Sequence, residues 1–514
     1  MKSNRLKYAV LNSAILTSVQ IMTIILKFIT QTVFIRVLGR EFLGLNGLFT
    51  NILSVLSFAE LGVGTSIVFS LYKPLANNDH KQISALMNLF KKAYTFIGLT
   101  VGVLGCLLLP FLHILIKDFD QLNGVYGYFL LYLANSVISY FFTYKRSLLI
   151  ADQHEYISML NTFFFMVLQV VLQVIFLFMN HSYAVYLWLA IICTFLSNLA
   201  ISHKVNKTYP YLKEYSKERV SIQMKKSIGA NVIGMIGSRI GSIVVRSTDN
   251  LLLSSFMGIS IVGIYSNYLL IVNSISGVLN KLVSSVTASI GNLIVEQNDE
   301  RSYKVYREHF LINLLVVSFS AGCLLVSLNP FIKAWAGKSY ILVSRIVLVI
   351  VINYFIDQLR QTNITFISAY GLFVPNGKKS VIEAIVNFVL SITLLRIFNL
   401  GITGVLLGTV ITNMILNSWW EPLLLFRKGF NMPKEFLRFY FQFYLGNSFI
   451  MIMLIAVNSF VIKYLDKILS LPSLLTAILN SVFMVVLMTI MVVALYWKNS
   501  TFKSLMRMFK IKRN

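Results

Sequence analysis

One feature limits the fold of this chain more than any other: apolar runs of about 20 residues or more, the length that crosses a bilayer as a helix, recur along its whole length. In hydrocarbon the backbone must satisfy its own hydrogen bonds, which leaves helices or closed barrels. A barrel would show short segments of alternating polarity; here the runs are continuous. Hydrophobic residues make up 57% of the 514 positions and charged residues 12%. A soluble chain cannot hide that much apolar surface, so the expectation is an all-α polytopic membrane protein with about fourteen helices. The expected spans are 9–38, 42–72, 86–116, 122–147, 153–180, 182–206, 226–256, 260–294, 306–333, 342–370, 379–399, 402–427, 437–465 and 472–497.

The net charge of +26 would fit a nucleic-acid partner, but its distribution argues against one. Bases gather in every second loop: Lys2, Arg5 and Lys7 at the start; Lys73, Lys81, Lys91 and Lys92 further on; then seven Lys and Arg from Lys204 to Lys226, and the tail after Tyr496. That bias orients a multi-pass protein with both termini in the cytoplasm. "MKSNRLK" precedes an apolar run too long for a signal-peptide core, so a retained first helix is expected. Cys106, Cys193 and Cys323 lie inside apolar runs without metal spacing.

Shifting the sequence by 219 positions superposes its two halves. Asn12 meets Asn231, Gln20 meets Arg239, Lys27 meets Arg246 and Gln31 meets Asn250; then Gly39 meets Gly258, Gly44 meets Gly263 and Ser57 meets Ser276. Six spans per unit is even, so the repeat is parallel, with a pseudo-two-fold axis along the membrane normal and a site expected between the lobes. The expected organisation is an N-terminal lobe at 1–206, a basic cytoplasmic linker at 207–225, a C-terminal lobe at 226–430, and two added helices with a basic tail at 431–514. The linker reads either as a basic amphipathic segment on the inner leaflet or as a plain topology anchor.

Charge inside the membrane is costly and points inward. The bases read as lying at depth are Lys27, Arg239, Arg246, Lys281 and Arg360; the acids are Glu60, Asp249 and Asp357. Gln20, Lys27 and Gln31, spaced seven and four apart, share one face of span one, and Arg239, Arg246 and Asn250 share the matching face of span seven. Facing each other, these stripes would form a cationic central cavity suited to a phosphate, which arginine can grip with two donors. The plainer reading has Lys27 snorkelling to an interface and Arg246 pairing with Asp249 at i+3. Asp357 and Arg360 are a turn apart and could pair simply to pack span ten. Glu60 is a candidate either for ion coupling or for neutralising Lys27 or Arg246.

No enzyme chemistry is legible. "GLFVPNGKKS" has five residues between its glycines and a lysine where Ser or Thr should follow the phosphate-loop lysine. The six histidines are scattered, and neither cofactor nor metal is expected.

"FIRVLGREFLGLNGLFTNILSVLSFAELGVGTSIVFSLYKPLA", "STDNLLLSSFMGISIVGIYSNY" and "GKKSVIEAIVNFVLSITLLRIFNLGITGVLLGTVITN" resemble the polysaccharide-transporter (Wzx-type) flippases of the multidrug/oligosaccharidyl-lipid/polysaccharide exporter superfamily. The resemblance implies a bacterial cytoplasmic-membrane protein. It would move undecaprenyl-pyrophosphate-linked oligosaccharide units to the outer leaflet by alternating access, for capsule, exopolysaccharide or O-antigen synthesis. Lys27, Arg246 and Arg239 would hold the pyrophosphate, and Asn12, Gln20, Gln31, Asn231 and Asn250 the sugars. Membrane lipids and other polysaccharide-assembly proteins are the implied partners. The competing functions are a lipid II flippase, which shares the architecture, and an ion-coupled multidrug exporter, which would call for an acidic or aromatic cavity.

Overall fold

The computed structural model describes residues 2–60, 63–117, 119–284, 299–469, 471–499 and 501–504. Among the described residues there is no strand, and the chain is an all-α membrane protein. The first seven long helices are α1 (Lys2–Val37), α2 (Gly39–Leu56), α3 (Val63–Ala76), α4 (His80–Leu108), α5 (Val125–Ala151), α6 (Glu155–Asn180) and α7 (Tyr183–Thr208). After the linker come α8 (Ile222–Met257), α9 (Ile259–Ser284), α10 (Asp299–Trp335), α11 (Ser344–Leu359), α12 (Gln361–Ala369) and α13 (Phe373–Arg396). The chain continues through α14 (Gly401–Thr412), α15 (Ser418–Lys428), α16 (Gly446–Leu469) and α17 (Ser473–Tyr496).

Among the described residues, ten helices are long and apolar enough to cross a bilayer. In the other four expected spans the chain is helical but interrupted or charged. Span two breaks at a 3-10 turn, Ser57–Glu60, between α2 and α3; span ten breaks at Arg360, between α11 and α12. Span seven, now α8, carries Arg239, Arg246 and Asp249, and span eleven, now α13, carries Lys379 and Glu383. Polar backbone breaks at membrane depth are tolerated only where protein or water satisfies them.

Packing divides the chain into two compact units, Met1–Gly263 and Ile264–Asn514. The division falls within α9, so α8 packs with the N-terminal helices, whereas the expectation from the 219-residue repeat is a lobe starting at 226. Contacts with α2, α3 and the short helix Leu112–Leu115 hold α8 in the first unit. Ser254 Oγ donates to Leu115 O at 2.5 Å, and Lys117 N donates to Ser254 O at 3.4 Å.

The repeat is written into one crossing of this unit. Gly39 and Gly258 both take positive φ, +83° and +95°, at the turns before α2 and α9. One turn into each helix, Gly44 lies against the carbonyl of Ile259 and Gly263 against that of Arg40. Adding 219 to Gly44 and Arg40 gives Gly263 and Ile259, so the two contacts exchange under the repeat and the crossing has local two-fold symmetry. In lipid, apolar burial gives helices little reason to associate, and small residues that admit close backbone contact take over that role.

The core of the first unit is aromatic and aliphatic, with Phe49, Phe90, Tyr94 and Phe129 almost fully enclosed. Its basic linker is tied down. Asn88 Nδ2 donates to Ser216 O at 2.8 Å, Ser84 Oγ to Tyr211 O at 3.4 Å, and Tyr209 Oη to Asp152 Oδ2 at 2.6 Å; His80 stacks on Tyr211.

In the second unit, α17 packs along α10, where Met484 covers Gly322. Asn480 Nδ2 bonds Asp466 Oδ2 at 2.9 Å and closes the turn between α16 and α17. Phe449, Phe460, Tyr464, Ile490 and Leu495 on these two helices are exposed. On a membrane protein that is the surface acyl chains cover.

Candidate functional site

Helix α1 has two faces. Ile21, Met22, Ile25 and Ile29 are about half exposed and fall on one side at 3.6 residues per turn. Gln20, Lys27 and Gln31 fall on the opposite side; the glutamines are half-buried and engaged in contacts, and Lys27 is exposed. The polar stripe therefore turns away from the apolar exposed stripe. Phe34, in line with it one turn further on, is buried edge-on against Tyr183 at 5.7 Å.

On α8 the polar stretch is enclosed. Ser247, Thr248, Asp249 and Asn250 are all buried. Four consecutive residues sample every side of a helix, so protein surrounds α8 at this level. Asp249 is engaged in contacts. Asn250 Oδ1 is buried with no hydrogen-bond donor among the described residues. The backbone at Asn12, Asn231, Arg239 and Arg246 is helical, and their side chains lie outside the described part of the structure.

Glu60 ends the 3-10 turn that breaks span two. The phenols of Tyr94 and Tyr140 both lie at its carboxylate, and Tyr140 directs its one proton to Ser57 Oγ at 2.8 Å. Phenols on α4 and α5 thus meet one carboxylate at a break in the helix.

The reading of charges at depth includes Arg360 but not the Lys379, Glu383 and Glu421 grouped with it. Arg360, at the α11–α12 break, sends Nη2 to Glu421 Oε1 at 2.6 Å and Nε to both Glu421 oxygens at 3.2 Å. Its Nη1 reaches Asn413 Oδ1 at 2.6 Å and Glu383 Oε1 at 3.4 Å. Lys379 Nζ spends its three donors on Glu383 Oε2 and Glu421 Oε1, each at 2.9 Å, and on Asn417 Oδ1 at 2.6 Å. Asn413–Asn417 is a π-turn between α14 and α15; such turns are common at special sites. Asn417 Nδ2 closes the network on Glu383 Oε1 and Asn413 Oδ1, both at 2.6 Å. Arg360 therefore binds Glu421 and Glu383 directly, and Asp357 adds a weaker field. Two cations and two carboxylates cancel, so the network leaves the cationic excess elsewhere unchanged. The discarded phosphate-loop lookalike supplies Lys379 to it.

Among the described residues no group of three or more His, Cys, Asp or Glu is placed to hold a metal. The three cysteines are unpaired.

The same helical fold occurs in three solved transporters, all at low identity. The lipid II flippase MurJ in an inward closed conformation is 15% identical, covers 95% of this chain and 99% of its own, and superposes with a TM-score of 0.68. An inward-facing multidrug resistance MATE family transporter of the MOP superfamily is 16% identical over 82% of this chain and 99% of its own, at 0.60. A MOP superfamily transporter from Pyrococcus furiosus, described as having a binding pocket of reverse polarity, is 16% identical over 77% and 90%, at 0.51. No curated protein matches the chain. The family described as "Polysaccharide biosynthesis protein" matches residues 9–290, more than half of the chain, and the chain belongs to that family.

Proposed function

We propose that this protein is a flippase that carries undecaprenyl-pyrophosphate-linked oligosaccharide units across the cytoplasmic membrane by alternating access around a cationic cavity. The observation that carries this reading is membership of a polysaccharide-biosynthesis family on a fold shared with a lipid II flippase over nearly the whole chain. The proposed lobes are 1–206 and 226–430, with 207–225 as the cytoplasmic linker, 431–514 as the added pair and tail, and both termini cytoplasmic.

The two faces of α1 support the cavity. A lysine opposite a lipid-facing stripe has water or protein before it. Lys27, Arg246 and Arg239 are the proposed head-group ligands; fixed cations lower the cost of taking an anion through a low-dielectric centre. Gln20, Gln31, Asn12, Asn231 and Asn250 are the proposed sugar contacts; Asn250 is enclosed in this structure, so its contact requires α8 to be uncovered during the transport cycle. The buried Asp249 offsets part of the charge.

In cells lacking the protein, lipid-linked intermediates should accumulate on the inner leaflet. Re-expressed Arg246→Ala should reach the membrane yet leave surface polysaccharide absent, and Arg246→Lys should restore part of it. Normal export by the alanine variant would end the head-group assignment. Accumulation of lipid II instead would move the protein to peptidoglycan synthesis.

Glu60 is the proposed coupling carboxylate. Wild-type export should respond to an imposed proton gradient, and Glu60→Gln should abolish that response while the protein stays folded. An unchanged response would leave Glu60 a packing group of the helix break.

A further inference from the structure

The first unit holds a second concentration of positive charge, away from the polar stripe of α1. Lys145 and Arg146, in the last two turns of α5, are both half-buried. Lys145 Nζ donates to Ser202 Oγ at 2.6 Å and Asn206 Oδ1 at 2.9 Å, one turn apart on α7. Arg146 donates through Nη2 to Ser197 Oγ at 3.0 Å and Asn198 Oδ1 at 3.2 Å on the same helix, and through Nη1 to Thr162 Oγ1 on α6.

Every one of these partners is neutral. They orient the cations without cancelling their charge, and among the described residues no carboxylate pairs with either. Asp152, nearby in sequence, is taken by Tyr209 and His154. Lys91 on α4 and Lys213 on the docked linker act on Lys145 with like charge. Lys145 is half-buried and the exposed Lys91 and Lys213 add like charge to it, an arrangement that an anion would relieve. The hydroxyls supply further donors: Ser197 and Ser202 each accept from a cation, and neither hydroxyl proton has an acceptor among the described residues. The buried pair of cations Arg360, at the α11–α12 break, and Lys379, on α13, shows the contrast, since each of those meets carboxylates.

We infer that Lys145 and Arg146, held open by neutral partners and with Lys91 and Lys213 acting on Lys145, form an anion site for a phosphate-bearing group, at the end of the first unit that carries the basic linker. Its ligand is either the phosphate of a membrane lipid head group or a soluble phosphate. This site draws its residues from α4, α5, α6, α7 and the linker, whereas the proposed head-group ligands lie on α1 and α8, so binding here and loss of export through Arg246 are scored on different residues.

The test uses the full chain in nanodiscs and follows its thermal unfolding. Inorganic pyrophosphate is titrated into phosphatidylcholine discs; in a second arm phosphatidic acid replaces part of the lipid and nothing is added. A shift in the first arm that Arg146→Gln weakens and Arg246→Ala leaves in place assigns a soluble phosphate to this site, and a shift in the second arm alone assigns a head group. Arg146→Gln and Lys145→Gln should each weaken the response roughly tenfold, the worth of one charged hydrogen-bonding partner. Lys91→Gln, at an exposed position, should weaken it roughly threefold and provides a reading if the buried variants fold poorly. Lys207→Gln, exposed beside the site, should match wild type. No shift in either arm overturns the inference, and so does an equal loss in Lys207→Gln and Lys91→Gln, which would mean diffuse attraction to a basic surface.

Discussion

Glu421→Ala is expected to destabilise the second unit by about 3–5 kcal/mol, the cost of leaving buried charge unpaired. The carboxylate receives Nε and Nη2 of Arg360 and Nζ of Lys379, and its side chain is 1% exposed. Without it two enclosed cations share one carboxylate, Glu383, and water cannot reach them without opening the junction of α12, α13 and α15. Glu421→Gln keeps the shape and some hydrogen bonds but leaves one uncancelled charge, so its loss should be smaller and still large. Neutrality is the quantity at issue, and a compensating change tests it. Combining Arg360→Met with Glu421→Gln leaves Lys379 paired with Glu383, and this double variant should unfold at a higher temperature than Glu421→Gln alone. The reading fails if Glu421→Ala unfolds with wild type in detergent, or if the double variant is the less stable of the two.

The residues of this network show what one sequence makes legible. Lys379 and Glu383 are four apart near the start of an apolar run, which reads as a solvated helix-end pair. Glu421 follows Trp419 and Trp420 and reads as an interfacial residue. Nothing local says that two helices bring these groups to Arg360, since Arg360 and Glu421 are 61 positions apart. Lys145 and Arg146 stayed hidden for the same reason: at the end of a span they look like topology anchors, and only the oxygens of α6 and α7 mark them as held. The membrane class was legible because the bilayer dictates run length directly. So was the repeat, because Gly39, Gly44, Gly258 and Gly263 answer to backbone geometry, which leaves few residue choices. The breaks at Ser57–Glu60 and Arg360 were not, because the residues on either side remain apolar and hydropathy does not sense a turn.

The α2–α9 crossing carries the second large effect. A Cβ added at Gly44 would fall on the carbonyl oxygen of Ile259, and one added at Gly263 on that of Arg40, each inside the 3.0 Å that real Cβ atoms essentially never breach. These obstacles are backbone and cannot rotate aside, so the helices themselves must part. Without the Cβ, each glycine presents a Cα–H toward the facing carbonyl, the arrangement of a weak hydrogen bond. Gly44→Ala and Gly263→Ala should each cost about 1–3 kcal/mol or more. Because the pairs share one crossing, separation forced by the first alanine makes room for the second, and the double variant should lose less than the sum. Two other glycines separate sterics from backbone conformation. Gly127 in α5 has no heavy atom within 4 Å of the point its Cβ would occupy, so Gly127→Ala should gain up to about 1 kcal/mol of helix propensity. Gly39 has the same free space but a φ of +83°, so Gly39→Ala should cost about 1–2 kcal/mol from conformation alone. Thermal unfolding of these variants in one detergent gives the ranking. If Gly44→Ala and Gly263→Ala behave like Gly127→Ala, or their losses simply add, then the two helices do not meet at these glycines and the local two-fold symmetry goes with them.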